Sequence, residues 1–509
     1  MSEKQEASAP AQQAVAEGSD LGALLRKDLN TDLQKEFRPA TDEAQEAVEQ
    51  AVQTLAQMAL KYATVVSDDA LRSIDNIISG LDKLIAEQVN LVLHHPDFQR
   101  LEGSWRGLHY LVSNTETDEM LKIRVMNISK NDLGRTLYNF RGTAWDQSPI
   151  FKRVYEEEYG VFGGQPYGAL VGDYYFDHTA PDVELLREMS KIAAAAHAPF
   201  IAAAAPKLMG MDSWQQLADP RDISKIFQQA EYAPWRSLRE SQDSMYVGLT
   251  MPRFLSRLPY GPQTNPVQEF AFEEDTASED SAADHSRYTW ANAAYAMAVN
   301  ITRAFKLYGW CSRIRGIESG GAVEYLPTHT FPTDDGGVDM KCPTEIAISD
   351  RREGELKDNG LMALVHRKNS DFAAFIGAQS LIRPSEYSDK DATANAKLAA
   401  NLPYVFACSR FAHYLKCMVR DKIGSYSSKE SLKDWLSGWI GSYVDTDPDH
   451  TTEGYKARHP LAAAEVQVEE DPSSPGFYSA KFFLRPHYQL EGMNISLRLV
   501  SKLPKEKSS

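Results

Sequence analysis

The stretch YGALVGDYYFDHTAPDVELLREMSKIAAAAHAPFIAAAA, residues 167–205, decides the fold class. Its first part, 167–175, is rich in apolar and aromatic side chains and predicts a strand. Residues 182–197 follow with a helical pattern, and a second apolar run covers 199–205. Strands that alternate with helices are typical of a sheet covered by helices. The sequence therefore predicts a mixed α/β fold.

Further predicted elements flank this stretch on both sides. Two apolar runs separated by Lys368, Asn369 and Ser370 favour a hairpin of residues 361–366 and 372–376. A long helix is predicted over 392–423, with Pro403 as a kink. The remaining predictions are strands at 121–128 and 245–250, and helices at 231–242, 288–310 and 429–443.

The N-terminal part beyond residue 40 predicts long amphipathic helices. One covers 41–62, a second covers 68–94, and a third begins at Asp97. Each carries a clear apolar stripe, whose usual meaning is packing into a core. In the third helix the stripe consists of Leu101, Trp105, Leu108 and Val112.

The C-terminal segment alternates with a period of two and predicts a three-stranded β-meander with one apolar face. Its strands are expected at 465–470, at 478–484 and at 493–503, after a polar stretch at 445–459. Outer strands have open edges that accept a strand from another chain or pack on their own domain. The alternating apolar residues are Val466, Val468, Tyr478, Phe482, Leu484, Ile495, Leu497 and Leu499.

Near the N-terminus a short island of leucines follows a polar segment. Leu21, Leu24, Leu25 and Leu29 fall on one face of a helix. An isolated helix of this length is marginally stable in water. It therefore docks on its own protein or is offered to a partner.

Charge and composition exclude several functions. The 509 residues carry a net charge of -17, from 54 Lys and Arg against 71 Asp and Glu. Binding to nucleic acid or to anionic membranes depends on clustered Lys and Arg, so neither is expected.

Four scattered cysteines indicate buried thiols in a reducing compartment. With no signal-peptide core and no apolar run of membrane length, a cytoplasmic protein is expected.

Catalytic and metal-binding motifs are missing from the sequence, and no cofactor or metal is predicted. It has no P-loop, no dinucleotide fingerprint, no zinc-protease motif and no nucleophile elbow. His178, near Asp173 and Asp177 after a predicted strand, is the best metal candidate, but sequence neighbours on a strand face different ways. The glycine pairs at 163–164 and 320–321 favour turns. The acidic stretch 265–284 predicts a solvated loop. These patterns indicate a protein that is not an enzyme.

Seven stretches resemble the large subunit of the type VI secretion contractile sheath, the TssC/VipB/EvpB family. They occur in order from about residue 101 to residue 504, which is most of the chain. The stretches are LEGSWRGLHYLV (101–112), KIRVMNISKNDL (122–133), YGALVGDYYFDH (167–178), PRFLSRLPYG (252–261), WCSRIRGIESGG (310–321), TEIAISDRREGELKDNGLMALVH (344–366) and FYSAKFFLRPHYQLEGMNISLRLVSKLP (477–504).

The resemblance implies a structural role and a set of partners. The large subunit pairs with a small subunit, TssB/VipA, and polymerises with copies of itself around a tube of Hcp. Assembly starts at a baseplate, contraction drives the tube forward, and the AAA+ ATPase ClpV recycles contracted sheath. The body is similar to phage tail sheath proteins, and the C-terminal strands join those of neighbouring subunits in a shared sheet.

The resemblance also implies a domain organisation. Residues 1–40 would be a flexible segment whose Leu21, Leu24, Leu25 and Leu29 helix binds the ATPase. Residues 41–444 would form the sheath body, with the acidic loop 265–284. Residues 445–509 would be a tether followed by the strand-exchange meander, with 30–40 as a second tether. A heterologous contact that does not close produces a filament, which fits this organisation.

Other functions stay open on the sequence alone. The chain could belong to another contractile injection device or to a phage tail, and such sheaths usually polymerise without a dedicated small partner. An enzyme that uses the His178 region or the glycine-rich loops is a second alternative. A soluble adaptor that never polymerises is a third.

Overall fold

A computed structural model of the chain describes residues 50, 70–218, 222–278, 281–333, 336–422, 428–470, 478–487 and 489. Its α-helices are α1 (Ala70–Leu93), α2 (Pro96–Ser113), α3 (Lys130–Asn139), α4 (Pro149–Phe151), α5 (Ala180–Ala196), α6 (Ile223–Ile226), α7 (Ala233–Arg239), α8 (Ala293–Tyr308), α9 (Asp350–Asp358), α10 (Lys390–Ala399), α11 (Leu402–Lys422), α12 (Lys429–Gly441) and α13 (Glu453–Arg458). Its strands are β1 (Leu170–Phe176), β2 (Phe200–Ala204), β3 (Val247–Met251), β4 (Phe254–Leu255), β5 (Trp290–Ala291), β6 (Ala322–Val323), β7 (Thr330–Pro332), β8 (Val338–Met340), β9 (Leu361–His366), β10 (Ala373–Phe375), β11 (Leu461–Glu470) and β12 (Tyr478–Pro486).

The described residues fall into two compact units. One unit takes its residues from the ranges Met1–Leu101, Leu258–Tyr288 and Phe331–Asp339. The other takes them from Glu102–Arg257, Thr289–Thr330 and Met340–Ser509, and it contains the main sheet.

The second unit is built on a six-stranded sheet with the order β1-β2-β3-β9-β10-β6. Strands β1, β2, β3 and β9 are parallel to one another, whereas β10 is antiparallel to both β9 and β6. Helix α5 connects the parallel strands β1 and β2, as parallel pairing requires a crossover connection. The mixed α/β class predicted from residues 167–205 is confirmed.

Both faces of this sheet are buried, so its strands are almost continuously apolar. On β9, Leu361 and Ala363 join the core that contains helix α5, while Met362 and Leu364 join the core that contains helix α8. Successive side chains of a strand point to opposite faces, which explains this division. The hairpin predicted from the two runs around residues 368–370 is confirmed as β9 and β10.

The strand predicted at 121–128 is wrong. Residues 121–129 form neither helix nor strand. Ile123 packs against a small cluster around Tyr295, and Val125 is 67% exposed. Alternation alone does not produce a strand, because a strand also needs a neighbour that accepts its backbone hydrogen bonds.

The single long helix predicted over 392–423 is also wrong, because the structure has two helices there. Helix α10 ends at Ala399 and α11 begins at Leu402. Pro403 lies in the first turn of α11, where a missing backbone N–H costs nothing. The proline therefore begins a helix here and does not kink one.

The prediction that the apolar stripe of α2 packs into a core is wrong for Leu101, Trp105 and Val112, whereas Leu108 packs against the small cluster around Tyr295. Trp105 is 65% exposed and Val112 is 48% exposed. The buried side of this helix carries Gly103, Gly107 and Leu111. Glycine permits close backbone approach, and this contact decides which side of the helix is inside. A Cβ added at Gly103 would lie 2.5 Å from the carbonyl oxygen of residue 290.

The stripe of α1 also departs from the core prediction at several positions. Ile78 and Ile85 are each 46% exposed, and Val92 is 55% exposed. None of the helices in the described ranges is both long and apolar enough to cross a membrane.

The prediction of a solvated loop at 265–284 is wrong for one of its acidic residues. The side chain of Glu274 is 1% exposed, and its carboxylate lies 3.5 Å from the His94 ring. The same carboxylate accepts a hydrogen bond from the backbone amide of Tyr260. Asp275 also contacts the body of this unit, because its backbone amide donates to the Asn90 side chain. This part of the acidic stretch therefore packs against the end of α1.

Candidate inter-subunit site in the C-terminal hairpin

Strands β11 and β12 form an antiparallel two-stranded sheet. Val466 lies opposite Phe482, and Ala464 lies opposite Leu484. Paired residues of antiparallel strands point to the same face, so these four side chains form one apolar surface. Two of the three predicted C-terminal strands are thus confirmed. The third, with Ile495, Leu497 and Leu499, lies outside the described residues, as does the helix with Leu21, Leu24, Leu25 and Leu29.

The apolar surface of the hairpin is covered at its base and uncovered towards its tip. Val466 is 3% exposed and Val468 is 5% exposed, while Phe482 and Leu484 are half-buried. Tyr478, at the start of β12, is 38% exposed. The predicted apolar face therefore packs mainly on the chain's own body.

An aromatic cluster on the body covers this face. Trp310 lies 4.4 Å from Phe411, measured between ring centroids. Trp439 lies 6.0 Å from Phe411 and 5.3 Å from Tyr443. The hairpin valines belong to the same buried cluster, together with Leu436, Ile440 and Leu461. Aromatic side chains bury large apolar areas, so this cluster is the main attachment of the hairpin.

A polar attachment follows directly after β12. Gln489 accepts a hydrogen bond from Nε of Arg315 at 2.8 Å, and its own amide donates to the carbonyl oxygen of Ser312 at 2.9 Å. Its backbone N–H donates to the hydroxyl of Tyr404 at 3.1 Å. Sequence reasoning missed these residues, because no local pattern connects position 489 with positions 312–315.

The other face of the hairpin carries charged groups and one large aromatic ring. Lys481 and Glu469 form an exposed ion pair of 3.0 Å. An exposed pair of this kind stabilises little. Phe483, which lies opposite Glu465, is 53% exposed. This face is available for contacts with another chain, whereas the opposite face is already used.

The backbone edges of the hairpin are largely unpaired within the described residues. The sheet contains β11 and β12 alone, apart from a single bridge between Val444 and Leu461. An unpaired strand edge presents N–H and C=O groups that another strand can bind. The geometry therefore permits strand addition from the same chain or from a different one.

The stretch 445–459, expected to be a loop-like tether, contains defined structure. Helix α13 covers Glu453–Arg458, and the Thr452 side chain accepts a hydrogen bond from the backbone amide of Tyr455. Asp445 is 2% exposed, and its carboxylate accepts hydrogen bonds from the backbone amide of Asp447 and from Thr451. The stretch therefore contains a short helix where a loop was predicted, and its use as a tether between subunits stays a prediction.

His178, the metal candidate from the sequence, contacts an aromatic ring and a backbone carbonyl oxygen. The His178 ring stacks on Tyr232 with 4.3 Å between centroids, and its Nδ1 lies 3.1 Å from the carbonyl oxygen of Lys207. Asp177 accepts hydrogen bonds from the backbone and the hydroxyl of Thr179. Among the described residues, no three His, Cys, Asp or Glu side chains are grouped to hold a metal ion.

The glycine-rich loops have structural contacts. A Cβ added at Gly164 would lie 2.1 Å from the carbonyl oxygen of Glu158. Gly320 has a φ of 90°, and a Cβ at Gly321 would lie 2.4 Å from the carbonyl oxygen of Phe375. Both loops need glycine for close backbone approach within the chain itself.

Comparison with known families assigns the chain. Residues 75–382 match the model described as "EvpB/VC_A0108, tail sheath N-terminal domain". Residues 391–503, which include the hairpin, match the model described as "EvpB/VC_A0108, tail sheath gpW/gp25-like domain". The chain belongs to the TssC/VipB/EvpB family of type VI secretion sheath proteins. The family resemblance stated from the sequence is thereby confirmed.

A relative in this family has a curated name. The chain is 69% identical over 477 residues to the "Type VI secretion system sheath protein TssC1" of Pseudomonas aeruginosa. The matched region covers 94% of this chain and 95% of that relative. The chain is thus a member of a structural, sheath-forming family along almost its whole length.

Similar solved structures come from other contractile devices. An anti-feeding prophage baseplate matches with 10% identity and a TM-score of 0.33, covering 63% of this chain and 67% of that chain. The sheath complex of an extracellular contractile injection system in its contracted state also has 10% identity and a TM-score of 0.33, covering 62% of this chain and 68% of that chain.

Proposed function

We propose that this TssC/VipB/EvpB family member is the large subunit of a type VI secretion contractile sheath in the cytoplasm. It pairs with the small sheath subunit, TssB/VipA, and polymerises with copies of itself around the Hcp tube. Assembly begins at the baseplate. The sheath then contracts and propels the tube.

The observation that carries this proposal is the two-stranded sheet of β11 and β12. Its apolar face is attached to the body, whereas its edges are largely unpaired within the described residues. The segment that follows has the alternation of a third strand, with Ile495, Leu497 and Leu499. A strand of this kind, exchanged between neighbours, links subunits by backbone hydrogen bonds while their bodies change position.

Contraction in this proposal requires no catalytic chemistry in the chain. The extended polymer makes fewer favourable contacts than the contracted polymer, so free energy is stored during assembly. Such a transition needs subunit bodies that move as rigid units. It also needs contacts between neighbouring subunits that have two alternative arrangements.

The N-terminal leucines have a separate role in the proposal. The helix with Leu21, Leu24, Leu25 and Leu29 binds the AAA+ ATPase ClpV, which recycles contracted sheath. The sequence pattern and the family resemblance support this assignment.

Negative-stain electron microscopy of the chain co-expressed with the small-subunit gene tests the proposal. Hollow, cogwheel-ended tubules are expected. Dispersed particles, with both subunits soluble and bound to each other, would contradict the polymer. Tubules formed without the small subunit would instead favour the sheath of another contractile device.

A matched pair of variants tests the exchanged strand. Ile495→Asp places a charge on the apolar side of the predicted third strand, and tubules are expected to disappear while the heterodimer still forms. Ser496→Asp places the same charge on the polar side, so it is the control that should keep tubules. Tubules of normal length with Ile495→Asp would contradict strand exchange at this position.

A further inference from the structure

One cysteine thiol of the second unit lies against a histidine ring. Sγ of Cys342 is 3.4 Å from Nδ1 of His366. Cys342 follows strand β8 closely, and His366 is the last residue of β9. We propose that Cys342 and His366 form a reactive thiolate–imidazolium pair, which makes Cys342 a site of oxidation by hydroperoxides.

The position of the histidine proton supports this pair. Nε2 of His366 lies 2.8 Å from the carbonyl oxygen of Ser370. A carbonyl oxygen only accepts, so Nε2 carries the hydrogen and Nδ1 of the neutral ring is an acceptor. The acceptor nitrogen therefore faces the thiol, as required for removal of its proton.

The backbone holds both partners in place. The carbonyl oxygen of Pro343, next to the cysteine, accepts a hydrogen bond from the backbone amide of Leu255 at 2.8 Å. His366 lies in register with Ala373 on β10. Because β-strand contacts fix both segments, the short distance between the two side chains is a property of the fold.

The hydrogen bonds around the thiol favour its charged form. Burial raises the pKa of Cys342, but hydrogen bonds from His366 and Thr344 outweigh this effect, and the pKa is lowered overall. Burial lowers the pKa of His366, whereas its contacts with Cys342 and with the carbonyl of Ser370 raise it overall. Within the described residues, the groups that act on the thiol are thus the His366 ring and the hydroxyl and amide of Thr344.

Two other cysteines have the opposite environment. Burial raises the pKa of Cys311 to about 12 and that of Cys408 to about 11. Both therefore stay protonated near neutral pH, whereas the thiolate is the nucleophilic form. Cys311, Cys342 and Cys408 are all partly exposed as residues, so the groups around the thiol, and not exposure, distinguish Cys342 from the other two.

The reaction with hydrogen peroxide is balanced by the histidine. The Cys342 thiolate attacks one peroxide oxygen, an S–O bond forms, and the O–O bond breaks. The departing hydroxide takes the proton from Nδ1 of His366 and becomes water. The sulfur is oxidised by two electrons to a sulfenic acid, and the peroxide is reduced.

Iodoacetamide labelling of the full-length chain at pH 6 to 9 tests the pair, with each cysteine quantified by mass spectrometry. Cys342 is expected to react at least about ten times faster than Cys311 and Cys408 at pH 6.5. His366→Gln should lower the labelling rate of Cys342 by about ten-fold. It should also move the pH dependence of that rate towards the ordinary thiol pKa of about 8.5. His450→Gln, at an exposed histidine, is the control that should change neither.

Oxidation itself is measured with hydrogen peroxide and dimedone, which traps sulfenic acids. The adduct is expected on Cys342 and is expected to decrease in His366→Gln, with circular dichroism confirming that the variant is folded. Cys342 reacting no faster than Cys311 and Cys408 would overturn the proposal. Unchanged labelling and unchanged sulfenic acid in folded His366→Gln would overturn it as well.

Discussion

His413 is a buried titratable residue on helix α11. It is 3% exposed, and its Nε2 lies 2.8 Å from the carbonyl oxygen of Ala196. Burial lowers the pKa of this ring to about 4, although the hydrogen bond to Ala196 opposes the effect. The folded protein thus keeps His413 neutral at a pH where an unfolded chain protonates it.

The pKa of His413 leads to a prediction about pH and stability. Between about pH 6.5 and the folded pKa of about 4, the unfolded state binds a proton that the folded state does not. The free energy of unfolding therefore falls as the pH falls through this window. Its decrease from pH 7 to pH 5 is about 2 kcal/mol for this residue.

Urea denaturation at pH 7 and pH 5 measures this decrease. His413→Gln keeps an N–H that can donate to Ala196 but does not titrate, so its stability should change less between the two pH values. An equal change in the variant and the original chain would show that other groups cause the pH dependence. His197→Gln is the comparison variant. The ring of His197 lies 6.3 Å from that of His413, and burial lowers its pKa as well.

Gly103 tests whether close backbone approach controls the packing of α2. Gly103→Ala would place a methyl group 2.5 Å from the carbonyl oxygen of Trp290, so the helix has to shift. A loss of roughly 1–3 kcal/mol is expected from thermal or urea denaturation. Gly80→Ala in helix α1, where the added Cβ has nothing within 4 Å, should be neutral or stabilising. Equal effects of the two substitutions would contradict this account of the packing.

At the scale of elements, strand patterns are reliable where a hairpin partner is close in sequence. The two apolar runs at 361–366 and 372–376 form such a pair, and so do the first two C-terminal strands, whose residues alternate. The run at 121–128 has a similar pattern but no strand structure. Local periodicity describes which face is apolar, whereas a partner in space decides whether a ladder forms.

The attachment of the hairpin to the body leads to an element-scale prediction. Val466→Asp puts a carboxylate into the cluster around Trp310 and Phe411. The described members of that cluster are apolar and aromatic side chains, so the buried charge has no ion-pair partner among them. We expect the hairpin to detach and to become sensitive to limited proteolysis, at a cost of more than about 3 kcal/mol. Gln467→Asp, on the exposed side of the same strand, should keep the original resistance. Equal protease sensitivity of both variants would contradict attachment through this face.

Helix stripes were less informative than strand pairs. Both α1 and α2 carry clear apolar stripes, but Ile78, Ile85 and Trp105 are exposed. An apolar stripe indicates that a surface is suited to burial without saying which molecule covers it. For α2 the deciding feature was the glycine spacing at 103 and 107, which a stripe analysis overlooks.

At the scale of the whole molecule, recycling and assembly should be separable. Leu25→Asp is expected to leave tubule assembly intact and to abolish binding of the ClpV ATPase to contracted sheath, because it interrupts the leucine face. Ala23→Asp places the same charge on the opposite helix face and is the control. Pull-down with the ATPase measures the difference. Normal ATPase binding by Leu25→Asp would refute the role of this face.

Within the second unit, the C-terminal hairpin is attached at two places. The aromatic cluster holds one face of the hairpin, and Gln489 connects the end of β12 to Ser312 and Arg315. Both attachments include residues that are far apart in the chain, namely Trp310 and Val466 in the cluster and Ser312 and Gln489 in the hydrogen bond. Their existence limits where an exchanged strand can start, because β12 is held at its base.

Local patterns in the amino-acid order were sufficient for the fold class, the helix between β1 and β2, and two hairpins. Each depends on periodicity or on partners a few residues apart. The buried side of α2, the burial of Glu274 and the contact between Cys342 and His366 required the folded chain. These features join segments that are distant in sequence, and their energies depend on close packing and on exclusion of water, which no local pattern encodes.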